Sequence, residues 1–190
     1  CLKGDVPVRG ERIEALIRPR AKSEQWKAVH VLSWRSLGKA DVPPPVPLSV
    51  GDVGNERYVF KRVTLEGVIE DVAPDELDSK WYQMLLKDGK GTVLLSRRAP
   101  SPSESALETL VGARVRIVGN VMRCQGGGRL VSGPCIGLEP GGLTVLRPPP
   151  EDPFDVESLP MVRALDPEQV CRLGRRRTEG TVEALWCGRR

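Results

Sequence analysis

The 190-residue chain is 39% hydrophobic and 28% charged, the balance of a globular protein, and it is long enough for one sizeable core or two small ones. Its formal charge of +4 is local: residues 172–190 hold six arginines against Glu179 and Glu183, while the remainder carries 23 basic and 23 acidic residues. A face tracking a phosphate backbone therefore has to be assembled from a neutral body. No apolar run approaches the about 20 residues that span a bilayer; with Cys1 first and WCGRR last, just after a strand-like run, the chain reads as a segment of a longer one.

Taken in chain order, VRGERIEALIR at 8–18 and KAVHVLSW at 27–34 alternate apolar and polar residues and predict paired strands. DVPPPVPLSVGDVG follows, and its prolines cannot donate to a ladder, so it marks a boundary. RYVFKRVTLEGVIEDV, WYQMLLKDG and GTVLLSRR predict three strands, the first two separated by APDELDS and the last two joined by the tight turn DGKG. In SPSESALETLVG the period changes: Ala106, Leu107, Leu110 and Val111 recur at helical spacing, with Ser103 as N-cap and Gly112 just past the end. Two more strands, ARVRIVGNVMR and RLVSGPCIGL, precede a second proline cluster in LTVLRPPPEDP. LDPEQVCRLG then predicts a short helix capped by Asp166 with Pro167, Gln169 and Gly174 in supporting positions, followed by a run containing Gly180.

Two strands carry a glycine where a buried side chain belongs. Counting alternate positions inward gives Val63, Leu65, Gly67 and Ile69 in one, and Val115, Ile117, Gly119 and Val121 in the other, with Arg114, Arg116 and Asn120 outward. The order of three strands, a helix and two strands is that of an OB-fold, an all-β, five-stranded Greek-key barrel with one or two short helices here. Its first and fourth strands curl hard, and a core-facing glycine removes the side chain that blocks the curl. Incidental glycines in an ordinary sandwich strand are the alternative.

PPPVPLSV with VTLEGVIEDV, LVGARVRIVG, VLRPPPEDPF and VRALDPEQVCRLGRRRTEGTVEAL resemble successive phrases of the tandem OB-like modules in the extracytoplasmic sensor regions of bacterial membrane-bound histidine kinases, hybrid sensors included. The resemblance implies closing strands of a preceding module at 1–43, a complete module at 44–153 and the start of a following one at 154–190. It further implies a noncatalytic sensory or signal-transmitting segment on the periplasmic side of the inner membrane. Its partners would be neighbouring modules of the same chain and an unknown small ligand or protein, with membrane contact only through the parent chain and nucleic acid not expected. A structural spacer between domains is a further reading.

The chemistry-bearing residues are few. The five cysteines lack CxxC spacing and His30 is the sole histidine, so neither a metal site, a cofactor nor nucleophilic catalysis is expected. Cys124 and Cys135 flank QGGGRLVSGP; a hairpin turn at QGGG would set Cys124 opposite a residue near Arg129, roughly 20 Å from Cys135, so two half-buried thiols are expected unless Gly133 and Pro134 fold the strand back. The carboxylates of APDELD and PPPEDPFD read as solvated loop charges. RRR at 175–177 reads as a solvated strand start, with anionic lipid or a neighbouring acidic module as alternatives. Ligand contact is expected around Trp81, Tyr82, Arg97 and Arg98 and the hairpin from Gly126 to Arg129. The competing reading is a single-strand nucleic-acid module, in which Tyr58, Phe60, Trp81 and Tyr82 supply stacking surfaces and Lys61, Arg62, Lys80 and Arg98 the cations. Against it, Tyr58 and Phe60 can share one face and fill the barrel mouth.

Overall fold

The computed structural model describes residues 7–19, 29–75, 78–98, 107–124, 133–159 and 174–181. The chain divides into two compact units, Cys1–Pro44 and Pro45–Arg190. In the first, β1 (Glu11–Pro19) and β2 (Val29–Lys39) form an antiparallel ribbon with irregularities between Glu11 and Ile13 and between Leu16 and Ile17. Ile13, Leu16, Ile17, Leu32 and Leu37 remain exposed on it. The backbone of His30 lies opposite Arg18.

The second unit begins with the two-residue strand β3 (Val46–Pro47), which pairs in parallel with the start of β4 (Arg62–Pro74). β5 (Trp81–Asp88) and β6 (Gly91–Arg98) form a hairpin, and β7 (Arg114–Cys124) and β8 (Gly133–Arg147) complete the set. The spatial order β4-β5-β6-β8-β7 returns to β4 through the β4–β7 pairing, so the sheet is closed. Within the ring only β6 and β8 run parallel. This is the five-stranded OB barrel that the element order predicts.

Period-2 alternation builds the core. Val63, Leu65 and Ile69 of β4 meet Met84 and Leu86 of β5, Val93 and Leu95 of β6, Val115, Ile117 and Val121 of β7, and Ile136 of β8, all buried. Both predicted glycines face inward, and the reason is close backbone approach. A Cβ on Gly67 would lie 2.4 Å from the Lys87 carbonyl oxygen, and one on Gly119 would lie 2.4 Å from that of Gly137. Gly67 sits where β4 transfers its pairing: it faces Val115 of β7, and one residue later Val68 faces Lys87 of β5. The strand can turn there only because nothing projects from its Cα.

Only the end of the connection after β6 is described, residues 99–106 lying outside the described residues. Among the described residues it is a single 3₁₀ turn, Leu107–Leu110, with Leu107 buried, and Gly112 follows at φ +92°. Ser103 lies outside the described residues, as do 165–173 of the second expected helix. Residues 174–181 form no strand beyond a bridge between Ser158 and Arg177.

Two side-chain readings are corrected. Arg175 and Arg176 are half-buried: Arg175 Nη2 donates to the Pro153 carbonyl at 3.0 Å, and Arg176 pairs with Glu157 at 3.2 Å. Cys135 is wholly buried and disulfide-bonded. Met122 pairs with Cys135 and Cys124 with Gly133, so the register brings Cys135 within two positions of the residue opposite Cys124.

Candidate functional site

The open face of an OB barrel is that of its second and third strands, flanked by the loop joining strands 1 and 2 and the loop joining strands 4 and 5. Here the strands are β5 and β6 and the first loop follows Pro74, described at 75 and 78–80; the second, 125–132, lies outside the described residues. Antiparallel pairing sets Trp81 opposite Arg98 and Tyr82 opposite Arg97, so four of the residues singled out in the sequence meet at one end of the hairpin. Arg129 lies outside the described residues.

Alternation separates the four by role. Met84 and Leu86 point into the core, so Trp81, Gln83, Leu85 and Lys87 line the outer side of β5. Trp81 is 39% exposed and Arg98 opposite it is exposed as well: a stacking plane beside a cation. Tyr82 belongs to the inward set and is half-buried at the barrel mouth. Its hydroxyl donates to Glu108, and that hydrogen bond, followed by the charge of the carboxylate and burial, holds the phenol above its ordinary value.

The loop before Trp81 is fastened from below. Asp75, expected as a solvated charge, is only 7% exposed. One carboxylate oxygen accepts from the Asp78 amide at 3.1 Å and the other from Gln83 Nε2 at 2.6 Å, while the Asp75 amide donates to the Trp81 carbonyl at 2.8 Å. A buried carboxylate needs such donors to offset its lost hydration. Gln83 Oε1 is buried without a hydrogen-bond partner among the described residues, next to Ser96, which faces Gln83 across the hairpin and is 8% exposed. Reading alternate positions outward from Trp81 would have found Gln83 and Lys87; the burial of Asp75 leaves no such trace.

The other aromatics stand elsewhere. Tyr58 packs against the core beneath Arg57, whose guanidinium carbon is 4.5 Å from the ring centre. Phe60 does not share its fate: it is 59% exposed at φ +63°, with its amide bonded to the Val121 carbonyl. Arg62 is committed to Glu139 through two hydrogen bonds of 3.0 and 2.9 Å. Among the described residues no group of three or more His, Cys, Asp or Glu side chains is placed to hold a metal ion, and no helix is long and apolar enough to cross a membrane.

No protein-family model and no curated protein matches the sequence. Solved structures similar to the chain include asparaginyl-tRNA synthetase from Pyrococcus horikoshii, 18% identical over 56% of this chain and 24% of that one at a TM-score of 0.43. Asparaginyl-tRNA synthetase from Entamoeba histolytica is 13% identical over 60% and 27% at 0.44. An aspartyl-tRNA synthetase described from Leishmania major is 12% identical over 57% and 22% at 0.41. The chain thus spans about a quarter of the length of each, and the barrel assignment stands on its own strand order. These likenesses are to tRNA synthetases and not to receptors. The exposed indole of Trp81 opposite the exposed guanidinium of Arg98 on the open barrel face corrects the extracytoplasmic sensory and two-component reading and its exclusion of nucleic acid.

Proposed function

We propose that the barrel is a module that binds single-stranded nucleic acid, recognising rather than transforming its ligand. The observation that carries this reading is the register of β5 on β6, which sets the exposed Trp81 opposite the exposed Arg98 on the open outer face, with Tyr82 and Arg97 one position on in the inward set. A base has a π-face whatever its identity, so the indole offers a sequence-tolerant platform, and the neighbouring guanidinium neutralises the phosphate that follows. The buried Asp75 keeps the approach loop and Gln83 in place, so the platform is held before the ligand arrives.

The test is fluorescence anisotropy of labelled single-stranded RNA and DNA of about 12 nucleotides, within the range one OB-fold occupies. Wild-type protein is expected to bind at low salt and to weaken as salt rises, with a slope of about −0.7 per phosphate contacted. Trp81→Ala is expected to weaken binding about 5- to 150-fold, the loss of one stacked base. Absence of binding at low ionic strength overturns the proposal.

A further inference from the structure

A second feature lies at the opposite end of the same strand. The outer side of β5 runs from Trp81 to Lys87, roughly 20 Å at strand rise, and Lys87 opens into a cleft of about 750 Å³. Its walls are the outer side of β4, the ends of β7 and β8 and the segments around Pro150 and Arg175, so Arg114, Arg147 and Arg175 join Lys87 there. Arg114 and Arg147 face each other across β7 and β8.

Two of the four carboxylates that line this cleft, Asp88 and Glu66, are committed. Both oxygens of Asp88 accept backbone amides, from Val50 on one side and from Lys90 and Gly91 on the other. Glu66 is taken by Arg116 at 2.7 Å, with Arg114 at 3.4 Å. Asp155 and Glu70 are the remaining acids of the lining, and Glu70 Oε1 stands near Lys87 Nζ, the two lying 2.9 and 3.3 Å from where a Cβ on Gly174 would be. Among the described residues, neither Lys87 nor Arg147 has an ion-pair partner. Arg175 is built into place: its Nη1 would be 2.6 Å from a Cβ on Gly112, so the bare backbone at that position leaves room for the guanidinium, and Nη2 is anchored on the Pro153 carbonyl.

We propose that this cleft is a second anion subsite, which takes a backbone phosphate of the strand whose base stacks on Trp81. The inference rests on the single-strand reading given above and adds a direction and a length to it: the ligand lies along β5, and only one long enough to reach from Trp81 past Lys87 uses the cleft. A ligand of about 4 nucleotides, the low end of OB-fold site sizes, occupies the platform alone.

The experiment compares labelled single strands of about 4 and about 12 nucleotides on the whole chain, using wild type, Trp81→Ala, Arg147→Ala and Arg147→Glu. The two Arg147 variants change an exposed residue at the end of β8, and a thermal melt checks that both remain folded. Arg147→Ala is expected to flatten the salt slope for the longer strand by about 0.7, Arg147→Glu to weaken that strand about tenfold, and neither to alter the shorter one. Trp81→Ala is expected to weaken both lengths. Unchanged affinity and slope for the longer strand in both Arg147 variants overturn the subsite, as does an equal loss for the two lengths, while Trp81→Ala still reports on the platform. Failure of wild type to bind either length overturns the single-strand reading and the subsite together.

Discussion

At Gly67 and Gly119 a missing side chain decides whether the barrel can close. The inward carbonyl oxygens of Lys87 and Gly137 stand 2.4 Å from where a Cβ would be, and main-chain atoms cannot rotate aside as the tip of a long side chain can. Gly67→Ala or Gly119→Ala is therefore expected to cost about 1–3 kcal/mol or more, measured as a lower midpoint in urea unfolding. Gly180→Ala should be neutral, because among the described residues nothing lies within 4 Å of its added methyl. Alternation made the first two positions legible in the sequence, since each interrupts an apolar face. Asp75 was misread because loop carboxylates are ordinarily solvated, and only the fold brings Gln83 Nε2 and the Asp78 amide onto it.

Strands and turns were legible because a period of two is carried by many residues at once. At the described end of the expected helix the type was not legible, since Leu107 and Leu110 at i and i+3 satisfy a 3₁₀ turn as well as an α-helix. Within the loop joining β4 to β5, Asp75→Ala would strand the Gln83 amide and is expected to destabilise the barrel by about 1–3 kcal/mol; adding Gln83→Leu should recover much of that, because both partners are then gone. A melt of the double variant no higher than that of Asp75→Ala would show that the pair does not fasten the loop. Across β4 and β7, Arg116 and then Arg114 hold Glu66 below the usual carboxylate range. A depressed folded value stabilises above the unfolded carboxylate value, and the contribution is lost as pH falls through the folded one. Glu66→Gln is accordingly expected to flatten the acid side of the melting-temperature profile, by a small amount because the pair is exposed.

Over the whole molecule, composition was the least informative level: the surplus charge lies in residues 172–190, whereas the proposed platform is made by residues seventeen positions apart, Trp81 and Arg98, that only strand register unites. The two units also differ in how well they bury what they pair. The β1–β2 ribbon leaves its leucines and isoleucines exposed, while each of the five barrel strands contributes side chains to a buried core. Amide hydrogens of β1 and β2 are expected to exchange with solvent orders of magnitude faster than those of β4 and β7, and equal protection would count against that contrast. The two seams of the barrel carry a kinetic consequence. Val63 must find Gly119, and Leu94 must find Cys135, so no early fragment of the growing polypeptide can satisfy its own edges. Closure waits until β8 has left the ribosome, and such distant pairings favour the slow millisecond-to-second regime of β proteins.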